Sequence, residues 1–357
     1  MKNIDKFKKY YSKGKNKLEV LLNEYNSSFS NDTNERIKEN LDYFKNLNSS
    51  GKMVRGTLVN LGYYLLKNDQ EYSYPLALAY EVFQTAILVH DDIIDKDSKR
   101  RGKDTVHFAS YKKYQKYGIN RELNHFSNSI ALCIGDYGLY SANKIIIDNY
   151  QNDKNFGKVF NCFNETVLKT IKGELLDVIL PFESKNAIIK SRDLEENIMN
   201  IYKLKTAYYT IIGPLSIGLL LAGAYNKKIQ DIEKFGEKVG IAFQIQDDIL
   251  GIFSDEIDKV KASDIKEYKQ TILYSYAKNS KYGPELEKYY GKSKLTNKNI
   301  NAVKDIFVNS KALYKSVKLM NDLYDESLKI LNDIDWIKAD KKELLEGFVE
   351  YLRGRRK

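Results

Sequence analysis

The spacing of apolar residues along the chain is that of α-helices. Over long stretches they recur every three or four positions, which places them on one helix face, whereas the alternation typical of strands is scarce. The stretches for which this spacing predicts a helix are 18–22, 58–66, 76–89, 130–147, 160–180, 194–209, 214–225, 232–252, 300–331 and 341–352. We therefore predict an all-α protein with roughly ten or more helices.

Breaks in this pattern are few. The prolines, four in all, are Pro75, Pro181, Pro214 and Pro284. Polar connectors are predicted at 26–34, 96–105, 149–155 and 278–299. None is rich enough in glycine, proline or serine to be a domain linker, so we predict one domain over 1–357, with residues 1–35 as an N-terminal helical extension. The Lys-, Asn- and Tyr-rich segment 278–299 is predicted to be a flexible insertion.

The composition is that of a folded protein with an excess of positive charge. Of 357 residues, 43% are hydrophobic, and 58 Lys and Arg against 48 Asp and Glu give a net charge of +10. Such a charge permits a polyanionic partner. The lysines are scattered, and no dense basic run carries the interleaved aromatic residues of a nucleic-acid surface. We therefore expect no nucleic acid partner and leave small polyanions and anionic membranes open.

Cysteine usage and apolar runs bear on the compartment. Cys133 and Cys162 form no CxxC pair and have no histidine at metal spacing, so neither a disulfide framework nor a zinc site is indicated. The basic N-terminal sequence lacks the apolar core of a secretory signal. The longest apolar run, 211–225, contains a proline and is too short to cross a bilayer. We therefore expect a cytoplasmic protein without a transmembrane segment.

An acidic cluster follows the apolar end of the helix predicted at 76–89. Asp91 and Asp95 are four residues apart and share one helix face, with Asp92 beside that face. Like charges at this spacing repel each other, so the cluster should recruit a cation. A helix end neutralised by the basic residues of 96–101 is an alternative, but a calcium EF-hand loop does not fit the spacing.

A second acidic cluster has the same form. In GIAFQIQDDILGIFSD, residues 240–255, Asp247 and Asp248 follow an apolar helical approach. If the two helices face each other across a bundle, their carboxylates can hold several hard divalent ions, and Mg²⁺ prefers oxygen ligands completed by water and substrate phosphates. The repeated pattern therefore favours a metal and diphosphate site over a simple salt-bridged helix end.

With both clusters in view, the chain resembles the trans-isoprenyl diphosphate synthases from about residue 51 to the C-terminus. DDIIDKDSKRRG (91–102) and QIQDDILG (244–251) are similar to the two aspartate-rich motifs of that family. The smaller motifs follow in the family's order: GKMVR (51–55), Gln84, GD (135–136), GELLD (173–177), KT (205–206), Lys259, SDI (263–265), Lys269 with Thr271, and the tail YLRGRRK (351–357). The resemblance implies a helical bundle of the isoprenoid synthase type with a central cavity, and a homodimer.

The resemblance also implies an activity in isoprenoid biosynthesis. Isopentenyl diphosphate would be condensed with an allylic diphosphate, helped by Mg²⁺, in three ions by analogy. The implied metal ligands are Asp91, Asp92, Asp95, Asp247 and Asp248, of which Asp248 is the weakest candidate. The implied catalytic residues are Asp91, Asp92, Asp95, Lys205 and Asp247.

The implied substrate contacts fall into two groups. The allylic diphosphate would be bound by Arg100, Lys205 and Lys269, since arginine offers a planar fork and lysine a point charge. Isopentenyl diphosphate would be bound by Lys52, Arg55, Gln84, Arg101 and Arg355. Further substrate-binding residues implied by the motifs are Thr206, Gln244 and Lys259.

Product length is expected to depend on the helix before Asp91. Ile87, Ala86 and Phe83 lie four, five and eight residues before it and share one face. In the family, aromatic residues at the first two positions give farnesyl length. Small Ala86 would leave the bottom of the pocket for the growing chain open, and Phe83 would close this pocket one turn deeper. The resemblance therefore implies geranylgeranyl length or longer. The alternative is that Phe83 is an ordinary core residue.

Four positions depart from the family pattern and keep other functions open. Met53 and Gly56 stand where arginine and proline are usual, Glu174 replaces a glutamine, and Gly251 replaces the last aspartate of the second motif. A terpene cyclase shares the fold and the first motif, but Gly251 and Asp255 match its second motif poorly. A weakly active partner subunit of a heteromeric synthase is the other alternative.

Overall fold

The computed structural model describes residues 1–28, 34–49, 51–118, 120–186, 188, 191–254, 263–292 and 295–355. Among the described residues the regular elements are helices apart from one short hairpin, which confirms the all-α prediction. Along the chain the elements are α1 (Asn3–Ser27), α2 (Glu35–Asn48), α3 (Val54–Tyr64), a 3₁₀ turn (Glu71–Ser73), α4 (Tyr74–Ile94), β1 (Lys99–Arg100), β2 (Lys103–Asp104), α5 (Val106–Gln115), α6 (Leu123–Tyr150), α7 (Phe156–Lys185), α8 (Ser191–Ile201), a π-helical segment (Tyr202–Ile212), α9 (Gly213–Leu221), α10 (Asn226–Phe253), α11 (Ser263–Lys266), α12 (Ile272–Lys278), α13 (Gly283–Leu286), α14 (Asn297–Asn309), α15 (Ala312–Asp333) and α16 (Ala339–Arg353).

The backbone divides into two compact units. The first unit is Lys9–Asn161 with Pro214–Ala224, and the second unit is Met1–Lys8 with Cys162–Gly213 and Tyr225–Lys357. The single domain expected over 1–357 stays a prediction.

The first unit is organised around α4, which packs against α3 and α6. Pro75 lies in the first turn of α4, where its missing N–H is not needed by the helix. The aromatic side chains of Tyr80 and Phe83 are fully buried and meet edge to face at 5.6 Å between ring centroids. The apolar body of α4 therefore anchors the aspartates at its C-terminal end in a rigid core.

The second unit is organised around α10, which packs against α15 and the π-helical segment. The helical stretch Asp193–Leu221 is long and apolar enough to cross a membrane by composition. However, 78% of its most apolar window is buried inside the protein, as expected for a core helix.

The structure differs from the sequence predictions at several connectors. Residues 96–105, predicted as a connector, form a hairpin because Arg101 and Gly102 both adopt the positive φ angles, 53° and 75°, that a two-residue hairpin turn favours. The helix predicted over 300–331 is two helices, broken at Lys311, whose φ is 62°. Helix α7 continues through Pro181, and α2 and α5 were not predicted.

Part of the segment 278–299, which stays predicted as a flexible insertion, is helical and contains buried side chains. Within it α13 forms, and the side chains of Leu286 and Tyr290 are buried. Residues 293–294 of this segment lie outside the described residues. The insertion thus contributes at least these two side chains to the core of the second unit.

Candidate active site

In the first unit, one arginine contacts the aspartates at the end of α4. Asp95 caps the helix, and its N–H donates to the carbonyl of Asp91 at 2.8 Å. Arg100 Nε donates to Asp92 Oδ1, and Arg100 Nη2 donates to Asp91 Oδ2 at 3.1 Å. The hairpin provides this contact, because Arg100 lies on β1 and the tight turn that follows returns the chain. Two of the predicted metal ligands, Asp91 and Asp92, therefore form one cluster with a predicted diphosphate ligand, Arg100.

Asp92 is the most buried member of this cluster, with 0% of its surface exposed. Burial raises the pKa of its carboxyl group to about 7, although Arg100 opposes the change. Its second oxygen, Oδ2, is buried and has no hydrogen-bond partner among the described residues. A buried carboxylate oxygen in this situation is suited to a cation ligand.

Two of the cations predicted to bind the second substrate, Arg55 and Arg101, lie near the buried carboxyl group of Glu81. Gly56 N–H donates to Glu81 Oε1 at 2.7 Å. With its amide oriented to satisfy both ends, Gln84 donates to Glu81 Oε2 and accepts from Arg55 Nη1, each at 3.0 Å. Burial raises the pKa of Glu81, and Arg55 and Arg101 oppose this change. Glu81 therefore anchors the first turn of α3, which carries Arg55.

This arrangement gives a physical reason for Gly56. Proline at this position would have no N–H for Glu81. A Cβ atom at Gly56 would lie 2.9 Å from Leu18 Cδ1 and 3.0 Å from the carbonyl oxygen of Ala77. Glycine at position 56, where the family usually has proline, therefore supplies the N–H that binds the buried carboxylate of Glu81.

The residues predicted to set product length lie on α4 within the first unit. Phe83 and Ala86 are fully buried, and Ile87 is partly exposed. Ala86 Cβ would be 2.8 Å from a Cβ built on Gly138, so Ala86 faces α6. Phe83 packs on Tyr80.

In the second unit, Lys205 and Thr206 lie on the π-helical segment. Helices α7 and α10 approach this segment through glycines: a Cβ on Gly173 would overlap the backbone nitrogen of Lys205, and one on Gly240 would overlap Cα of Ala207. Long π helices are rare and tend to occur at functional sites. The glycines that open the GELLD and GIAFQ sequences therefore make room for the segment that carries the KT residues.

Two lysines and two carboxylates form a partly buried cluster beside this segment. Lys205 Nζ lies 2.7 Å from Glu174 Oε2 and 2.7 Å from Asp177 Oδ2, and Lys269 Nζ lies 3.0 Å from Asp177 Oδ2. Burial raises the pKa of Asp177, but the two lysines outweigh it and the pKa is lowered to about 2. Asp177 thus holds together both lysines predicted to bind the allylic diphosphate.

The two adjacent aspartates of the second motif have different surroundings. Asp247 Oδ1 lies 3.0 Å from Arg355 Nη2. Asp248 is 5% exposed, and it accepts hydrogen bonds from Tyr202 Oη and, at 2.8 Å, from Gln244 Nε2. Burial raises the pKa of Asp248, and the carboxylate of Asp264 raises it further.

Asp264 also lies where the second motif lacks its last aspartate. A Cβ built on Gly251 would be 3.2 Å from Asp264 Oδ2. The space beside Gly251 is therefore occupied by a carboxylate from the start of α11, next to Asp248.

The C-terminal segment is held against α10 by several contacts. The Arg355 guanidinium stacks on the ring of Phe243 at 4.6 Å. Gln246 Nε2 donates to the carbonyl oxygens of Arg353 and Arg355 at 3.3 and 3.1 Å, and Tyr324 Oη donates to Gln246 Oε1 at 2.9 Å. Arg355, predicted to bind the second substrate, contacts the predicted metal ligand Asp247 in the structure.

The donor atoms fit a hard cation. In the ranges that the structure describes, no group of three or more His, Cys, Asp or Glu side chains is close enough to hold a metal ion by itself. Asp91, Asp92 and Asp247 offer oxygen donors only, and they lie against arginines. Mg²⁺ prefers this chemistry, with one or two carboxylates from the protein and the remaining ligands from water and phosphate.

Several functional candidates were not identified from the sequence. They are Glu81, Asp177, Tyr202 and Asp264. Asp177 and Asp264 stand inside motifs already noted, GELLD and SDI, whereas Glu81 and Tyr202 carry no local signal. The predicted ligand Lys259 and the residue Asp255 lie outside the described residues.

Comparisons with known proteins identify the family of the chain. The sequence model of the polyprenyl synthetase family matches residues 34–307. The geranylgeranyl diphosphate synthase of Sulfolobus acidocaldarius is 33% identical over 229 residues, which cover 63% of this chain and 62%, less than two thirds, of that protein. The geranylfarnesyl diphosphate synthase of Aeropyrum pernix is 27% identical over 284 residues, covering 78% of this chain and 81% of that protein.

A solved structure shares the fold. The geranylgeranyl pyrophosphate synthase of Corynebacterium glutamicum, complexed with isoprenyl diphosphate and magnesium, has a TM-score of 0.84 and 23% identity. The match covers 96% of this chain and 99% of that one. Since the family match spans most of the sequence and contains both aspartate motifs, the chain belongs to the polyprenyl synthetase family.

Proposed function

We propose that the protein is a Mg²⁺-dependent trans-prenyltransferase that condenses isopentenyl diphosphate with allylic diphosphates. The observation that carries this proposal is the first-unit cluster, in which Arg100 binds Asp91 and Asp92 and one buried carboxylate oxygen is left for a cation. The names of the similar Sulfolobus and Aeropyrum proteins, both prenyl diphosphate synthases, support the same activity.

The proposed roles begin with ionisation of the allylic diphosphate. Asp91, Asp92, Asp95 and Asp247 would hold Mg²⁺, three ions by analogy, and bound Mg²⁺ supplies positive charge to a departing diphosphate. Arg100, Lys205 and Lys269 would bind the same diphosphate through fixed positive charges. Because Asp177 already orients both lysines, these charges need little rearrangement when substrate arrives.

The second diphosphate must be held without being ionised. Lys52, Arg55 and Arg101 would provide fixed cations for it. Glu81 and Gln84 orient Arg55 through the hydrogen bonds at the start of α3. Holding both substrates in place supplies orientation for attack by the double bond of isopentenyl diphosphate.

We infer that the product is of geranylgeranyl length or longer. Small Ala86 and large, buried Phe83 support a pocket for the growing chain that ends one turn below the family's farnesyl-length position. The similar proteins named for geranylgeranyl and geranylfarnesyl products support the same range.

We also infer that the enzyme is a cytoplasmic homodimer. Large apolar side chains are exposed along α6 and along α7, for instance Tyr140 at 76%, Leu175 at 58% and Phe182 at 68%. Exposed apolar stripes of this kind mark protein contacts, and a second copy is the occupant that the family resemblance implies.

The test is an incorporation assay with the purified full chain. It would be incubated with Mg²⁺, labelled isopentenyl diphosphate and, separately, dimethylallyl, geranyl, farnesyl and geranylgeranyl diphosphates, with product length read after dephosphorylation. We expect a product series that ends at one length. Asp91→Asn should abolish it, whereas Asp148→Asn, which removes an exposed carboxylate paired with Lys144 on α6, should not.

Two outcomes would contradict the proposal. Release of pyrophosphate without incorporation would indicate a terpene cyclase. No turnover with any primer would indicate a partner subunit. Light scattering on the same sample would test the dimer, with a monomeric mass refuting it.

A further inference from the structure

Tyr202 is a buried tyrosine whose hydroxyl group joins two parts of the second unit. It is the first residue of the π-helical segment, and 3% of its surface is exposed. Its O–H donates to Asp248 Oδ2, and its oxygen accepts the N–H of Ile272 at 2.9 Å. One hydroxyl group thus contacts the second aspartate motif on α10 and the first residue of α12.

The hydrogen bonds continue from Asp248 back to the π-helical segment. Gln244 Nε2 donates to Asp248 Oδ1 at 2.8 Å, and Gln244 Oε1 accepts from Thr206 Oγ1 at 2.5 Å. Thr206 lies four residues after Tyr202 in the same segment. Asp248 is therefore bound on both oxygens by groups whose positions depend on that segment.

The same hydroxyl group is connected to the two lysines of the site. Ile272 follows Thr271, the N-cap of α12, and stands three residues after Lys269. Lys269 and Lys205 both contact Asp177. Tyr202 therefore fixes one end of the short connector that carries Lys269, and it begins the segment that carries Lys205.

A purely structural role would require only that the buried hydroxyl has some partner. What distinguishes Tyr202 is that its partner is a buried carboxylate beside a second carboxylate, Asp264, near Gly251. A buried carboxylate needs donors to stay in place, and hydrogen bonds to a charged group are about twice as strong as neutral ones. Without the Tyr202 hydroxyl group, Gln244 is the remaining side-chain donor that the contacts above provide to Asp248.

We propose that Tyr202 is a positioning residue: by holding Asp248 inward and anchoring Ile272, it sets the positions of Lys205 and Lys269 for the allylic diphosphate. The inference rests on the proposed function. It assigns Asp248 to the internal hydrogen-bond network and leaves Asp247 as the metal ligand of the second motif.

The experiment compares Tyr202→Phe with Tyr208→Phe. Tyr208 lies on the same π-helical segment, and its hydroxyl group also donates to a carboxylate of α10, Glu233, at 3.1 Å. Both substitutions keep the ring and remove one hydroxyl group. The carboxylate that Tyr208 binds, Glu233, has no link to Lys205 or Lys269 in the described contacts. Tyr208→Phe therefore removes a comparable hydrogen bond without affecting the two lysines.

Two measurements would be made on each full-length variant. Steady-state kinetics would give KM for the allylic diphosphate and for isopentenyl diphosphate separately. Calorimetric titration with inorganic pyrophosphate would give binding without turnover. Since one hydrogen bond to a charged group is lost, Tyr202→Phe should weaken pyrophosphate binding and raise the allylic KM about 10-fold. The KM for isopentenyl diphosphate should be unchanged, as should every value for Tyr208→Phe.

Circular dichroism with thermal unfolding would establish that each variant is folded. If Tyr202→Phe does not fold, Asp248→Asn, which keeps the volume and one acceptor, should show the same selective loss. Equal effects on both substrates, or a lower Tm with unchanged KM, kcat and pyrophosphate affinity, would overturn the inference. If the wild-type protein binds pyrophosphate without turnover, the proposed function is refuted, but the comparison of Tyr202→Phe with Tyr208→Phe by pyrophosphate binding stays valid. If the wild-type protein does not bind pyrophosphate, both the proposed function and the inference are overturned.

Discussion

The contact between Arg355 and Asp247 predicts that removing an arginine will strengthen metal binding. Arg355 Nη2 lies 3.0 Å from Asp247 Oδ1, and the two side chains are 19% and 29% exposed. A divalent cation that binds Asp247 through Oδ1 would compete with Arg355 for that oxygen. Metal binding at Asp247 must therefore separate this ion pair, and Arg355→Ala removes that requirement.

The magnitude follows from the contacts that would be broken. A partly exposed ion pair contributes about 1 kcal/mol. Stacking of the guanidinium on Phe243 at 4.6 Å contributes about 0.5–1 kcal/mol. Since about 1.4 kcal/mol is a tenfold change in affinity, Arg355→Ala should tighten divalent cation binding roughly tenfold.

The assay is a titration with Mn²⁺, followed by electron paramagnetic resonance of the free ion at constant ionic strength. Arg353→Ala is the matched control, because Arg353 belongs to the same C-terminal segment but binds Asp325 at 2.7 Å and Asn321 at 3.0 Å. It removes the same charge without freeing Asp247. Equal shifts in the two variants would attribute the change to net charge, and weaker Mn²⁺ binding by Arg355→Ala would refute the reasoning.

Two further predictions concern the core of each unit. Phe83→Ala should lengthen the product, because the fully buried ring would no longer close the space below Ala86. The measurement is the distribution of product lengths, and an unchanged distribution would mean that Phe83 is an ordinary core residue. Asp177→Asn should lower the free energy of unfolding at pH 7 by about 2.5 kcal/mol, because the folded pKa is about 2 whereas the unfolded carboxyl titrates near 4. A lowered folded pKa stabilises the protein above the unfolded pKa, and this stabilisation is lost as the pH falls from about 4 towards 2. Urea unfolding of both proteins across that range should therefore show the difference shrinking, and a constant difference would contradict the linkage.

The main helices could be predicted because their periodicity reflects burial. Helix α10 buries one face at helical spacing, whereas α4 is buried on nearly every side and is apolar along most of its length, so both helices and the aspartates near their ends could be located. The hairpin at 99–104 could not, because each strand has two residues and shows no alternation. Helix α7 continues through Pro181 against the expectation from proline alone.

The candidate site was predicted less completely, because its orientation depends on contacts distant in sequence. Nothing in the pair Asp247 and Asp248 indicates which one turns inward, since the deciding hydroxyl group belongs to Tyr202. The residues of the π-helical segment read as ordinary helix, and its form depends on packing against Gly173 and Gly240.

The left-handed backbone at the hairpin turn belongs to a wider pattern with a consequence for protein engineering. Positive φ angles occur among the described non-glycine residues at Met53, Lys96, Arg101 and Tyr268, as well as at Glu122 and Lys311. The first four adjoin, or are, residues of the proposed site, and each such conformation is disfavoured by about 1–2 kcal/mol. Selection of this protein for heat resistance should therefore favour glycine or asparagine at the exposed Lys96, where no buried side chain is lost. At Met53 and Tyr268, which are 1% and 7% exposed, the lost packing would outweigh the relief of backbone strain, so both should resist replacement.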